Sequence, residues 1–132
     1  MKAKDVYNTY VRLRSVADKK LPIKIAFIVS RNLKKMQSVA QDVDTNRAML
    51  FEKYGERKDD GSLDYAEDGS LAIPKEFINS FADELMEIMN AEINITLDPL
   101  TEEDIEKCDG DGYDRLTVDE IGALMLLTGD AG

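Results

Sequence analysis

The segment from Asp109 to Glu120 has the residue types and spacing that come closest to a site with chemistry. Aligned with a twelve-residue calcium-binding loop, it places Asp109 and Asp111 at positions 1 and 3. Glu120 falls at position 12, where a bidentate carboxylate contributes strongly to binding. Position 5 is Tyr113, which offers no carboxylate, and position 6, where the sharp turn requires glycine, is Asp114. The pattern therefore indicates either a degenerate calcium site formed by Asp109, Asp111 and Glu120 or an ordinary turn.

Thr117 and Glu120 also have the spacing of a capping box, in which two side chains bond to backbone N–H groups at the start of a helix. Thr101 and Asp104 repeat this spacing. We therefore predict two short helices that begin at these threonines, the last of them ending at Gly129. A cap accounts for Glu120 without a metal ion, whereas a degenerate EF-hand-like module would use it as a calcium ligand.

Side chains that support other common chemistries are missing from the sequence. There is no histidine, so Ser-His-Asp and Cys-His catalysis cannot occur within this chain. The single cysteine, Cys108, cannot form an internal disulfide. No glycine-rich phosphate-binding loop is present. Catalysis by carboxylates with magnesium stays open, but no spacing of acidic residues in the sequence points to it. We therefore expect that the protein is not an enzyme and binds no cofactor.

Charge is distributed unevenly along the chain. Residues 1–35 contain ten basic and two acidic residues, whereas residues 36–132 contain seven basic and 25 acidic residues. Such asymmetry indicates either a contact surface for a partner or a basic segment that folds against acidic residues of the same chain or of a neighbouring copy. Because the net charge is −10 and no helix-turn-helix pattern is present, we do not expect nucleic acid as the partner. The candidate contact residues, here called the basic patch, are Arg12, Arg14, Lys34 and Lys35.

Two helices are predicted in the N-terminal half. A stripe of apolar residues predicts the first from Lys4 to Asp18, and Pro22 suits the start of the second. The second is predicted from Ile23 to Tyr54, with Arg47 as a polar position in a seam of alternating four- and three-residue steps. This seam could pack in the chain's own core or pair with a second copy. Its candidate interaction residues are Val29, Leu33, Met36, Ala40, Val43 and Leu50.

The middle of the chain predicts a small antiparallel sheet. Asp-Gly dipeptides mark turns, and alternation around Tyr65 and Leu71 predicts a hairpin with residues 66–69 at its tip. Alternation in residues 93–97 predicts a third strand, and a helix is predicted between hairpin and strand, over residues 75–91. We expect no internal repeat.

Together these elements predict a single α+β domain over residues 1–132. It would contain an N-terminal helix and a long helix, a small antiparallel sheet made of the hairpin and one strand, and helices at the C-terminal end. No segment approaches the roughly 20 apolar residues that are needed to span a bilayer. The N-terminus lacks the apolar segment of a signal peptide. We therefore expect no membrane association.

Several segments in this order are similar to those of one known family. They are LPIKIAFIVSRNLKKM at 21–36, LFEKYG at 50–55 followed by Asp-Gly turns, the helix at 77–92, and the LTxDEIxAL pattern at 116–124. Over most of its length the chain resembles small uncharacterised proteins of tailed bacteriophages and prophages of Gram-positive bacteria. The resemblance implies a phage origin, an α+β fold, and a location in the host cytoplasm or the virion. It implies no established activity.

These observations predict a phage-encoded, non-enzymatic protein that acts by protein–protein contacts, as a structural or assembly accessory. Its partner would be a protein of unknown identity, and homo-oligomerisation is one form that the contact could take. The first alternative is an acidic inhibitor of a host defence or nucleic-acid-binding factor. The second alternative is the EF-hand-like calcium module.

Overall fold

The computed structural model of the chain describes residues 1–128, and these are mainly helical. In chain order the helices are α1 (Ala3–Arg14), α2 (Ile23–Tyr54), α3 (Ile78–Met89, preceded by a 3-10 turn at Lys75–Phe77), α4 (Glu102–Glu106, followed by a 3-10 turn at Lys107–Asp109) and α5 (Val118–Met125). Within residues 1–128, β pairing is limited to isolated bridges and forms no sheet. The predicted α+β fold with an antiparallel sheet is therefore wrong.

The long helix α2 has the predicted bounds, and the residue after it is held by close packing. Gly55 has an extended backbone, with φ −67° and ψ 145°, and not the left-handed conformation that glycine often adopts after a helix. A Cβ atom on Gly55 would lie 2.6 Å from the carbonyl oxygen of Phe51 and 2.8 Å from Cδ2 of Leu63. Glycine is needed here because the chain turns back tightly against the last turn of α2.

The other helices differ from their predicted bounds near their ends. α1 stops at Arg14 and not at Asp18, because the following N–H groups bond to carbonyl groups three residues back, as in tight turns. α3 ends at Met89, two residues before the predicted end. α5 ends at Met125, and Gly129, where this helix was predicted to end, lies outside the described residues.

The main cluster of buried apolar side chains, here called the core, forms between α1 and the first half of α2, and side chains from α4 and α5 complete it. Its fully buried side chains include Leu13, Ile25, Met36, Leu100 and Leu124. Val29 and Met36 of the predicted seam lie in this core, and Leu33 is half-buried at its edge. The seam thus serves the chain's own packing. The buried seam residues are Val29, Met36, Ala40, Val43 and Leu50.

Two nearly identical turns lie between α2 and α3, where the hairpin was predicted. The sequence Asp-Gly-Ser-Leu occurs at 60–63 and again at 68–71. In each turn the aspartate Oδ1 accepts hydrogen bonds from the serine N–H, at 2.9 and 3.0 Å, and from the serine hydroxyl, at 2.6 Å. Each glycine has a positive φ, 87° and 86°, which glycine adopts without strain.

Strands do not extend from these turns, because three segments meet at one point. Asp64 N–H donates to the carbonyl of Glu56 at 2.8 Å, and Ala72 N–H donates to the carbonyl of Asp64 at 3.1 Å. Glu56 N–H in turn donates to the carbonyl of Ala72 at 2.8 Å. Pairing is therefore shared among three segments, and the bridge between Tyr65 and Leu71 stays isolated.

The predicted third strand, residues 93–97, has no strand beside it. Ile93 N–H donates to the carbonyl of Met1 at 2.8 Å, and the carbonyl of Thr96 accepts from Lys35 Nζ at 3.0 Å. Ile93, Ile95 and Leu97 pack against the core. The alternation of residue types is typical of an extended segment with one apolar side. The backbone groups of residues 93–97 bond to the N-terminus and to α2 and not to a neighbouring strand.

Candidate interaction surfaces

The segment from Asp109 to Glu120 contains a turn followed by a helix cap. Glu120 Oε1 accepts a hydrogen bond from Thr117 N–H at 2.8 Å, and Thr117 Oγ1 accepts one from Glu120 N–H at 3.1 Å. Glu120 Oε2 lies 3.5 Å from Lys19 Nζ. The pKa of Glu120 lies below its usual value, mainly because Thr117 N–H donates a hydrogen bond to its carboxylate. The positive charge of Lys19 lowers this pKa by a smaller amount. Both carboxylate oxygens of Glu120 therefore have partners within the fold.

The other predicted calcium ligands do not join Glu120 in a cluster. Asp109 ends a 3-10 turn, and Asp111 lies in the exposed turn that follows. Asp114 is bonded to a distant loop, since its Oδ2 accepts from Lys20 N–H at 2.6 Å and its N–H donates to the carbonyl of Lys20 at 2.9 Å. Across residues 1–128, no group of three or more acidic or cysteine side chains is placed to hold a metal ion.

The four residues of the predicted basic patch do not form one surface. Arg14 and Lys34 line a groove of about 400 Å³ between α1 and α2. Lys35 instead pairs with Asp98, with Nζ 3.1 Å from Oδ1. Arg12 lies against Gly122 of α5, so closely that a Cβ atom added to this glycine would be 2.8 Å from Arg12 Nη2. Only Arg14 and Lys34 share a groove.

Part of the basic N-terminal segment pairs with the acidic part of the same chain. Lys24 Nζ lies 3.1 Å from Asp104 Oδ1, and Arg31 Nε lies 3.1 Å from Asp98 Oδ2. Asp104 is buried, and the N–H of Thr101 in its capping box, aided by Lys24, lowers the pKa of this carboxyl. The charge asymmetry thus contributes to folding, as one of the two interpretations of the sequence predicted.

Asn32 has a structural role that was not predicted from the sequence. Its side chain is fully buried on α2. Its Nδ2 donates to the carbonyl of Asp98 at 2.9 Å, and its Oδ1 accepts from Asp98 N–H at 2.7 Å. Spacings of three from Val29 and four to Met36 place it on the buried face of the helix. That spacing was the available signal for a buried polar residue that fastens residues 93–98 to α2.

Residues 51–91, here called the arm, contain no fully buried side chain. The arm comprises the last turn of α2, the two Asp-Gly-Ser-Leu turns and α3. Aromatic rings hold it together: the centroids of Phe51 and Phe81 are 5.9 Å apart, and those of Tyr54 and Phe77 are 5.8 Å apart. Although α3 has a clear apolar stripe, every residue of that helix keeps contact with solvent. The arm is therefore only partly covered by the rest of the chain.

A groove of about 640 Å³, here called the α2–α3 groove, lies between the second half of α2 and α3. Met49 lines it and is 62% exposed. Asp42, Glu84 and Glu87 also line it, together with Lys53, whose Nζ lies 3.0 Å from Glu84 Oε1. The groove therefore combines apolar walls with an excess of acidic side chains. Its apolar residues include Val39, Val43, Leu50, Ile88 and Ile93.

A second exposed apolar surface lies at the start of α2. Ile23 is 75% exposed and Phe27 is 64% exposed, and their spacing of four places them on one face. We call this pair the Ile23–Phe27 ridge. The ridge is flanked in the sequence by basic residues, which are Lys20, Lys24, Arg31 and Lys34.

Comparisons with known proteins add no relative to this description. No family model, no curated protein and no solved structure matches the chain. In the part of the chain that the structure describes, none of the helices has the length and apolar character required to cross a membrane.

Proposed function

We propose that this protein is a phage-encoded, non-enzymatic accessory of particle structure or assembly that acts through protein–protein contacts. The observation that carries the proposal is the arm, where residues 51–91 lack a fully buried side chain although α3 has an apolar stripe. The phage setting rests on the resemblance described above. Partly covered apolar surface of this kind typically marks sites of protein contact.

The α2–α3 groove, where α3 of the arm lies beside α2, is the surface best suited to such a contact. It is concave and lined with aliphatic side chains, and its edge carries the exposed Met49. Methionine adapts its shape to a partner, because its side chain is unbranched and polarizable. Acidic residues such as Glu84 and Glu87 would favour a partner with basic residues.

An acidic inhibitor of a host factor is the second candidate function. It is favoured by the excess of acidic residues after position 35, where 25 acidic and seven basic residues occur. In this case binding would depend on the exposed carboxylates and would weaken strongly with salt. Assembly by way of the groove would depend mainly on apolar contact.

The two functions can be separated in a phage that encodes this chain. Met49→Lys should lower the yield of assembled particles, while phage DNA still accumulates in the infected host. Met86→Lys is the matched control, because Met86 is 61% exposed on α3 but does not line the groove. Normal particles after deletion of the gene would contradict the assembly function. A failure of DNA accumulation before assembly would favour the host-factor inhibitor.

A further inference from the structure

We infer that copies of this chain associate head to tail, with the Ile23–Phe27 ridge of one copy bound in the α2–α3 groove of the next. The inference rests on the proposed function and deepens it, because it names a second copy as the partner at the groove. Two independent features of the surface support it, namely apolar fit and opposite charge.

The apolar parts of the two surfaces are suited to each other. Ile23 and Phe27 lie one helical turn apart and project from α2, whereas the groove is a concave space of about 640 Å³. Apolar residues one turn apart on a helix are the usual anchors when a helix binds in a groove. Docking would cover both the ridge and the exposed side chain of Met49.

The charges around the two surfaces are opposite. Asp42, Glu84 and Glu87 line the groove, where Lys53 is already paired with Glu84. The ridge is flanked by four basic residues. Two of these, Lys24 and Arg31, pair with aspartates of their own chain but keep about two-thirds of their side chains exposed. The basic N-terminal segment of one copy would therefore meet acidic residues of the next.

The positions of the two surfaces exclude docking within one copy. Phe27 and Met49 lie on the same continuous helix, α2, at a separation of roughly 33 Å for a rise of about 1.5 Å per residue. A copy cannot fill its own groove, and each copy presents one ridge and one groove. Such a heterologous contact joins copies into a ring or an open chain, in contrast to a symmetric dimer.

The test uses light scattering on the full-length protein over a range of concentrations up to about 0.5 mM, since small interfaces are weak. The molar mass of the wild type should rise with concentration above the monomer value of 14.8 kDa. Phe27→Glu places a negative charge against the acidic groove, and Met49→Lys places a positive charge against the basic ridge. Each variant alone should remain a monomer.

An equimolar mixture of the two variants distinguishes head-to-tail contact from other modes. Phe27→Glu keeps an intact groove and Met49→Lys keeps an intact ridge, so the mixture should form dimers of twice the monomer mass and nothing larger. Met86→Lys should associate like the wild type. Phe27, Met49 and Met86 are each more than 60% exposed, so the three variants should fold, and circular dichroism checks this. Ile23→Glu provides a second variant of the ridge and should behave like Phe27→Glu.

A wild type that stays monomeric at every concentration would overturn the inference. So would a mixture of variants that stays monomeric although the wild type associates, or a Met86→Lys variant that is monomeric. A monomeric wild type combined with particle loss in Met49→Lys phage would overturn self-association alone, because the groove would then bind another protein. Association of the wild type with normal particles after gene deletion would overturn the assembly function alone.

Discussion

The core and the arm are both built on α2, yet they bury their apolar side chains to different extents. In the core, Leu13, Met36 and Leu124 are fully buried. In the arm, Phe81 and Leu85 are only half-buried, and Phe77 is 41% exposed. Because burial of apolar surface is the main favourable contribution to folding, most of the stability should come from the core. The same helix thus supports a stable domain and presents a partly covered surface to a partner.

The largest expected effect compares one truncation in each region. Met36→Ala should lower the free energy of unfolding by about 2–5 kcal/mol, since it leaves a cavity in a fully buried site. Leu85→Ala in the arm should cost about 1 kcal/mol, since less apolar surface is lost from a half-buried site. Urea unfolding followed by circular dichroism measures both. Equal losses would show that the arm is packed as well as the core.

Removal of the Asn32 amide tests how the extended segment is fastened to the core. Asn32→Ala should lower the free energy of unfolding by about 2–3 kcal/mol, because the N–H and carbonyl of Asp98 both lose their partner. Asn46→Ala is the matched control, as Asn46 is exposed on α2 and bonds only to the carbonyl of Asp42 in its own helix. The control should change stability by less than about 0.5 kcal/mol. A similar loss in both variants would argue against a special role for Asn32.

A substitution at the junction of α2 with the turns should affect the arm alone. In Gly55→Ala the new methyl group would collide with the carbonyl of Phe51 and the side chain of Leu63. We expect a loss of about 1–2 kcal/mol as the turns move away from α2. Hydrogen exchange should become faster at arm amides, around Ala72 for example, and stay unchanged at core amides such as that of Met36. Equally faster exchange in both regions would mean that the two regions unfold as one unit.

The capping boxes of α4 and α5 make the stability of the core depend on pH. Thr117→Ala should cost about 1 kcal/mol, the usual value for a lost N-cap. The pKa values of Asp104 and Glu120 are lower in the folded than in the unfolded chain. The two carboxylates therefore stabilise the folded state fully at pH values above their unfolded pKa values of about 4. This stabilisation is lost as the pH falls from there through the lowered pKa values of the folded state. The melting temperature should therefore fall from pH 5 to pH 3. Glu120→Gln should reduce this fall, and an unchanged pH profile would contradict the assignment.

The smallest expected effect concerns calcium. Both carboxylate oxygens of Glu120 already have partners in the fold, and Asp114 is bonded to Lys20. We therefore expect no shift in melting temperature with millimolar calcium. If calcium did bind, a calcium concentration of about a hundred times the dissociation constant would stabilise the folded protein by roughly 2.7 kcal/mol. A melting curve readily detects a change of this size. Such a shift would restore the calcium alternative.

The helices of this chain were predicted from the sequence better than the segments between α2 and α4. The bounds of α2 and the capping boxes at Thr101 and Thr117 are as predicted. In the middle of the chain, the predicted hairpin and third strand do not form a sheet. Residues 93–97 have the expected alternation, but alternation cannot identify the partner of an extended segment. Here the partners are Met1 and Lys35, and Asn32 holds the end of the segment.

By itself the sequence determined the features that depend on neighbouring residues: the long helix, its apolar seam, the two caps and the tight Asp-Gly turns. These features follow from helical periodicity and from hydrogen bonds that span only a few residues. The tertiary structure alone decided that most of the seam is buried within the same chain and that the basic patch is divided between surfaces. It also decided that Glu120 is used as a cap and that the α2–α3 groove is left open. Each of these outcomes depends on contacts between residues far apart in the chain, such as Asn32 with Asp98 or Lys19 with Glu120.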